Sequence, residues 1–364
     1  MTFNPRMLTL AKEYAGLTQA AIAHHAGISQ SLMSKIENGF EVPSATTLAS
    51  VAEICAVPVE FFQQNDQLLG EGLVDLFHKK RLTLPAKPLR QANGIANVIR
   101  LEVVRLLRSL DITERAPFPS FPIDQHESPE EIAVLVRATW RIPSGPISNL
   151  VEAVENTGTP VLLADLGHER LFAISMPAIG ANTHLIIVNS KLPASAQRFA
   201  LAHEVGHLVM HDGVASENME KETNDFASAL LMPAADITKH LRVVRFRDLG
   251  GLKAVWRVSL AALIYRAHSL GQITDRQYRT LNMDLNRLPH GRKREPGEFP
   301  AETPTLVRRI IKHYQSDLGY SITEIAKLAV ADLAEFESRY LGRPELRSLA
   351  SKGPSPRMFS LVSQ

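Results

Sequence analysis

The chain has 364 residues, with 40 basic and 38 acidic side chains and a formal net charge of +2, so as a whole it exerts little pull on a polyanion. Its single cysteine, Cys55, excludes an intramolecular disulfide framework, and no apolar run is long enough to span a bilayer. Residues 2–15 mix Arg6, Lys12 and Glu13 among apolar positions, unlike an export signal, so the expectation is a cytoplasmic protein of two or three domains with no membrane partner.

Residues 4–65 read as five short helices. The first covers 5–15 and stops at Gly16. Thr18 caps the second, which stops at Gly27; Ser29 caps the third, over 30–37, which stops at Asn38-Gly39. Ser44 opens a fourth, with Leu48, Val51, Ala52 and Cys55 at helical spacing, and 59–63 makes a last turn. The short pair around Gly27 reads as a helix-turn-helix. Leu17-Thr18-Gln19, Gly27-Ile28-Ser29-Gln30, Ile36-Glu37-Asn38-Gly39 and Pro43 resemble the Cro/cI (XRE) repressor domains. That resemblance implies an all-α domain over 1–66 whose third helix enters the major groove. Gln30, Ser31 and Lys35 would meet base edges, Gln19 would hold a phosphate, and Ser29 and Ser34 complete the DNA-facing set. It also makes a homodimer an open alternative. Against it stands charge: Arg6, Lys12 and Lys35 face Glu13, Glu37, Glu41, Glu53 and Glu60, a net of −2. Phosphate neutralisation supplies most non-specific affinity, so one such domain should bind DNA weakly, and a protein-docking module is the rival reading.

Residues 67–125 read as a helical lead-in. It holds a basic run, Phe77-His78-Lys79-Lys80-Arg81, and a long amphipathic helix over 89–110. Arg90, Arg100, Arg105 and Arg108 on that helix are expected on a solvated face, where they could supplement the acidic domain on DNA. The proline-rich 116–122 reads as linker-like punctuation. Helices are expected over 129–140 and 147–157, and strands over 161–164, 171–174 and 185–188. Few strands among many helices make an α+β domain with a small sheet.

Next comes the stretch that carries chemistry. Residues 200–211 form an apolar helix into which His203-Glu204-Val205-Gly206-His207 is set. Positions i and i+4 share a face, so the two imidazoles can meet one metal ion, with Glu204 beside them to take a proton from a water. A second helix, over 220–231, could bring Glu220 as third ligand, with Asn224 one turn on as hydrogen-bond partner of a ligating histidine. Glu222 is the rival; it lies about 200° around the helix and is expected as a solvated charge. His211 is expected at the helix end or as a proton donor behind the site.

The residues from Gln197 to His211, followed by Glu220-x-Glu222-x-Asn224-x-Phe226-Ala227 and Leu230-Leu231-Met232-Pro233, resemble the ImmA/IrrE metallopeptidases. The resemblance covers roughly 75–235, with Thr223 where the family usually has alanine. It implies His203, His207 and Glu220 as metal ligands and Glu204 as catalytic base. The metal implied is Zn2+, with Mn2+ or Fe2+ open because this donor set suits several. It also implies cleavage of a Cro/cI-type repressor in a stress or mobile-element response.

Beyond 235, helices are expected over 236–244, 258–270 and 274–284, a helical extension to 290. A flexible basic linker should span 291–302 and a final helical pair 303–340, with Ser321 to Glu324 as a cap and a disordered tail. The whole is expected to be multidomain and mainly α: an all-α helix-turn-helix domain, an α+β zincin-like metallopeptidase domain (67–235), then an α-helical C-terminal region. Three functions are carried forward. The first is a zinc-dependent endopeptidase with its own DNA-binding domain. The second is a regulator whose metal domain senses without turnover. The third is self-cleavage near 292–297.

Overall fold

The computed structural model describes residues 3–68, 84–108, 116–176, 183–211, 217–289, 291 and 295–342. The N-terminal unit contains helices α1 (Pro5–Tyr14), α2 (Gln19–His25), α3 (Gln30–Glu37) and α4 (Ala45–Cys55), then a 3-10 turn, Val59–Gln63. Each helix begins where a side-chain oxygen accepts an otherwise unpaired backbone N–H: Asn4 from Arg6, Thr18 from Ala21, Ser29 from Leu32, Ser44 from Thr47. Gly16 and Gly27 adopt φ +65°, the left-handed region that ends a helix and that side chains disfavour. The apolar faces close on Met7, Ile22, Met33, Ile36, Val51, Phe61 and Phe62.

Helix α5 (Ala86–Leu107) is the spine of the molecule. The face expected to be solvated is covered too, so the helix is buried on two sides. Val98 and Leu101 complete the core of the N-terminal unit, while Ile99, Val103 and Leu106 enter the core below the sheet. Gly94 lets α1 approach backbone to backbone; a Cβ there would lie 2.4 Å from the Tyr14 nitrogen. Arg100 and Arg105 are buried, donating to the Gln67 carbonyl and to Asp66 respectively, and Arg105 also reaches the Ala329 carbonyl at 2.9 Å. These two cations therefore hold elements together and are not presented to DNA; Arg90 and Arg108 are exposed. The basic run at 77–81 lies outside the described residues.

The proline-rich 116–122 packs on the fold: Phe118 meets Trp140 edge-on, and the Phe121 N–H donates to the Val209 carbonyl at 2.9 Å. Helices α6 (Pro129–Thr139) and α7 (Leu150–Glu155) follow, then a three-stranded sheet of β1 (Val161–Ala164), β2 (Ala173–Met176) and β3 (Leu185–Asn189). The sheet order is β1-β3-β2, β1 parallel and β2 antiparallel to β3, so β2 is an edge. Strand β2 starts two residues later than expected. Leu171 is buried, and the Phe172 carbonyl accepts from Asn189 just before the strand. Alternation sends Val161, Ile186 and Val188 into one core and Leu162, Ile174, Met176 and Ile187 into another.

The first core holds the helix pair α8 (Ala194–Met210) and α9 (Met219–Leu231). Gly206 sets their approach: a Cβ there would lie 2.8 Å from the Phe226 ring and 2.9 Å from the Thr223 methyl. Beyond Pro233, the helix expected over 236–244 shrinks to α10 (Ala234–Ile237) and a 3-10 turn. Helices α11 (Leu249–Trp256), α12 (Leu260–Ser269) and α13 (Asp275–Asn286) complete this half, the last with a Thr274/Gln277 capping box.

Residues 295–302 of the expected flexible linker form instead a pinned strap. Three carboxylates spaced along it each reach into the body. Glu295 accepts from the backbone N–H of Leu260 and from Lys253, whose side chain is 0% exposed. Glu298 accepts from Lys253 and from the Ser195 N–H at the start of α8. Glu302 accepts from Arg198 and caps α7 at the Leu150 and Val151 N–H groups. The linker composition is real, but its acids meet buried cations and unpaired helix N-termini, which immobilise it. Residues 292–294, on which the self-cleavage idea rests in part, lie outside the described residues.

In place of a final helical pair there are three pieces, α14 (Leu306–Ser316), α15 (Ile322–Ala329) and α16 (Leu333–Phe336), then a π turn, Glu337–Leu341. The expected Ser321/Glu324 capping box is present. These helices fill the core on the second face of the sheet, and Tyr314 donates to the Leu106 carbonyl at 2.9 Å. Arg339 and Tyr340 both bond Glu102 of α5, and Tyr14 of α1 donates to Glu335, so the first and last described helices meet. The expected disordered tail lies beyond the described residues. Among those described, no helix is long and apolar enough to cross a membrane.

Candidate metal centre

Helix α8 is apolar on nearly every side because it runs through the first core; Leu201, Val205, Leu208 and Val209 are buried around it. His203 and His207 fall one turn apart, and their Nε2 atoms lie 3.0 Å from each other. Glu220, in the first turn of α9, brings Oε2 to 3.8 Å from His203 Nε2 and Oε1 to 3.7 Å from His207 Nε2. Ligand atoms of the three residues lie within 4.8 Å of one another.

The surroundings fix which ring nitrogen faces inward. His203 Nδ1 lies 3.1 Å from Asn224 Oδ1, a carbonyl oxygen that only accepts, so Nδ1 carries the proton. Thr223 donates its own hydroxyl to the Met219 carbonyl, leaving its oxygen to accept from His207 Nδ1 at 3.4 Å. Both imidazoles therefore turn Nε2 lone pairs toward one point, the arrangement that a cation requires. Two nitrogens at zinc–imidazole distance lie about 3.3 Å apart at a tetrahedral angle, close to the observed spacing. The residues fit a divalent metal, with Glu220 needing to close by a few tenths of an ångström.

Glu204 is buried beside this cluster and accepts a hydrogen bond from the Ser175 hydroxyl of β2 at 2.6 Å. A cleft of about 170 Å³ opens on the group; Leu84, Arg170, Phe172 and Phe199 wall it, with His203, Glu204 and Glu220 below.

One expectation needs correction. Glu222 is not a solvated charge: its Oε2 lies 2.9 Å from His211 Nε2. His211 lies at the helix end, one of the two places expected for it. Its backbone, at φ −123° and ψ 22°, has left the helix, and its ring turns to Glu222 on the neighbouring α9. Ser175 and the aromatic walls were not anticipated. A serine inside an apolar strand was the available signal.

At the N-terminal unit, Ser29, Gln30, Ser31 and Lys35 are exposed along α3, and Ser34 is half-buried with its carbonyl accepting from Asn38. Gln19 is half-buried, its amide donating to Glu37 at 2.8 Å, and Lys12 pairs with the same carboxylate.

A buried helix carrying two histidines and a glutamate, a second helix supplying a carboxylate, and a small sheet with its edge beside them define a metallopeptidase-type domain, joined here to a helix-turn-helix. The family comparisons place both parts. Residues 155–268 match the IrrE N-terminal-like domain of the Peptidase_M78 family, and residues 6–61 match a helix-turn-helix domain. The chain thus joins a helix-turn-helix domain of DNA-binding type to an ImmA/IrrE-like domain. No curated protein matches it.

Proposed function

We propose that this chain is a metal-dependent endopeptidase of the cytoplasm that cuts a helix-turn-helix repressor and reads DNA through its own N-terminal domain. The observation that carries this reading is the convergence of His203, His207 and Glu220 on one point, with Glu204 beside them on an open cleft. His203, His207 and Glu220 would hold the metal, zinc in our reading, and Asn224 and Thr223 orient the imidazoles. A divalent ion held there would supply Lewis acidity and make a water easier to deprotonate. Glu204 takes the proton from the attacking water and returns it to the departing amine. Edge strand β2 offers backbone groups along which an extended peptide can lie, so recognition needs few particular side chains. Leu84, Phe172 and Phe199 suit an apolar side chain in that peptide.

Because Cys55 is buried and is the only cysteine, the chain needs no oxidising compartment. The exposed residues of α3 support the DNA-reading role. The test is metal analysis of the purified chain together with capture of a neighbouring helix-turn-helix repressor by a Glu204→Gln variant. Bound metal, a captured repressor and its cleavage by the unaltered chain are expected. Tight metal binding with no cleavage of any captured repressor would make the domain a sensor and sink the peptidase reading.

A further inference from the structure

Strand β2 is short, and its neighbours on either side of position 175, Ile174 and Met176, enter the second core. Ser175 points the other way, toward α8, and is 1% exposed. A hydroxyl buried there without a partner would be destabilising, and an apolar residue would avoid that. The Ser175 hydroxyl is instead spent on Glu204, donating to Oε2 at 2.6 Å.

Glu204 follows His203 directly and shares the cleft floor with His203 and Glu220. A carboxylate in that position has the same ligand chemistry as Glu220. Once bound to the metal it could no longer accept a proton, and the open position needed for water would be lost. Fixing one of its oxygens to a strand prevents this without removing the charge.

We infer that Ser175 is a positioning residue that ties Glu204 to β2 and so keeps it out of the metal's ligand set. The inference rests on the metallopeptidase reading given above. Ser175 touches neither substrate nor metal in this role and acts only through Glu204. Strand β2 then serves the site twice, as the open edge along the cleft and as the anchor of the base.

The test uses the full chain, stripped of metal and titrated with Co2+ alone while the visible d–d bands are followed. Ser175→Ala should bind Co2+ about tenfold more tightly, the scale on which residues behind metal ligands act. Its bands should weaken as the ligand number rises. Adding Glu204→Ala to that variant should restore the affinity and band intensity of the unaltered chain, and Ser175→Thr, which keeps the hydroxyl, should not depart from it. Should circular dichroism show Ser175→Ala misfolded, the near-isosteric Ser175→Cys takes its place with the same expectation. A Ser175→Ala chain with unchanged affinity and bands overturns this inference alone. Failure of the unaltered chain to take up Co2+ overturns the metal-site reading and this inference with it.

Discussion

Helices α3 and α8 both carry the polar residues on which the proposed function depends, and they hold them in opposite ways. On α8 the histidines and Glu204 are buried, and each is oriented by a side chain from another element: Asn224 and Thr223 from α9, Ser175 from β2. On α3, Gln30, Ser31 and Lys35 stand in solvent, and Glu37 of that helix bonds Lys12 and Gln19 of the same unit. The difference follows from what each helix has to do. A proton transfer and a metal need fixed geometry before the substrate arrives, which a supporting shell of hydrogen bonds supplies. A surface that reads a partner can be ordered by the partner itself, at a cost in affinity.

The contrast can be broken most sharply at α8. Glu204→Gln removes the base and no ligand, so cleavage should fall by about 10²–10⁴ while metal content survives. Glu220→Ala should lose both, and Glu222→Ala should lose its contact with His211 and keep the metal. Metal analysis of the three beside a cleavage assay reads this, and a Glu222 variant without metal beside a Glu220 variant with it would reverse the assignment.

The next largest effect should lie in the strap behind α8. Lys253→Met leaves Glu295 and Glu298 facing each other without their shared cation, and removal of one member of a buried ion pair costs about 3–5 kcal/mol. Urea denaturation measures it; a loss under 1 kcal/mol would show that the strap does not clamp the helix. At α3, Gln30→Ala should cost roughly 1–3 kcal/mol on a specific operator and little on random DNA, as seen in salt-dependent binding isotherms. Equal losses on both would remove the base-reading role, and no salt-sensitive binding at all would make the domain a protein-docking one.

The smallest effect concerns pH. Burial raises the Glu155 pKa above its ordinary 4.5, against the backbone N–H groups of Thr305 and Leu306 that favour its charge. Between the unfolded and the raised folded value the native state holds more protons, so stability should fall as pH rises through that interval. Glu155→Gln should flatten that part of a melting-temperature profile, whereas an unchanged slope would mean that another group titrates there.

Local signals in the chain were enough for the helix-turn-helix, because caps and glycine stops act within a few residues: Thr18, Ser29, Ser44, Gly16 and Gly27 each do what their type predicts. The convergence of His203, His207 and Glu220 on one point was legible for a similar reason. His203 and His207 are neighbours by helical spacing alone, and Glu220 and Asn224 fall one turn apart on the next helix.

What needed the tertiary structure were the meetings between distant residues of no distinctive type. Arg100 and Arg105 looked like surface charges until two cores closed over α5. The acids at 295, 298 and 302 read as linker until buried Lys253, Arg198 and first-turn N–H groups of α7, α8 and α12 were set against them. Ser175 read as one polar residue in an apolar strand until the sheet edge was laid beside Glu204. Periodicity and capping are short-range and written in the sequence. The desolvation that turns an ordinary charge or hydroxyl into a structural or catalytic group depends on which segments pack together, and that is decided only when the chain closes on itself.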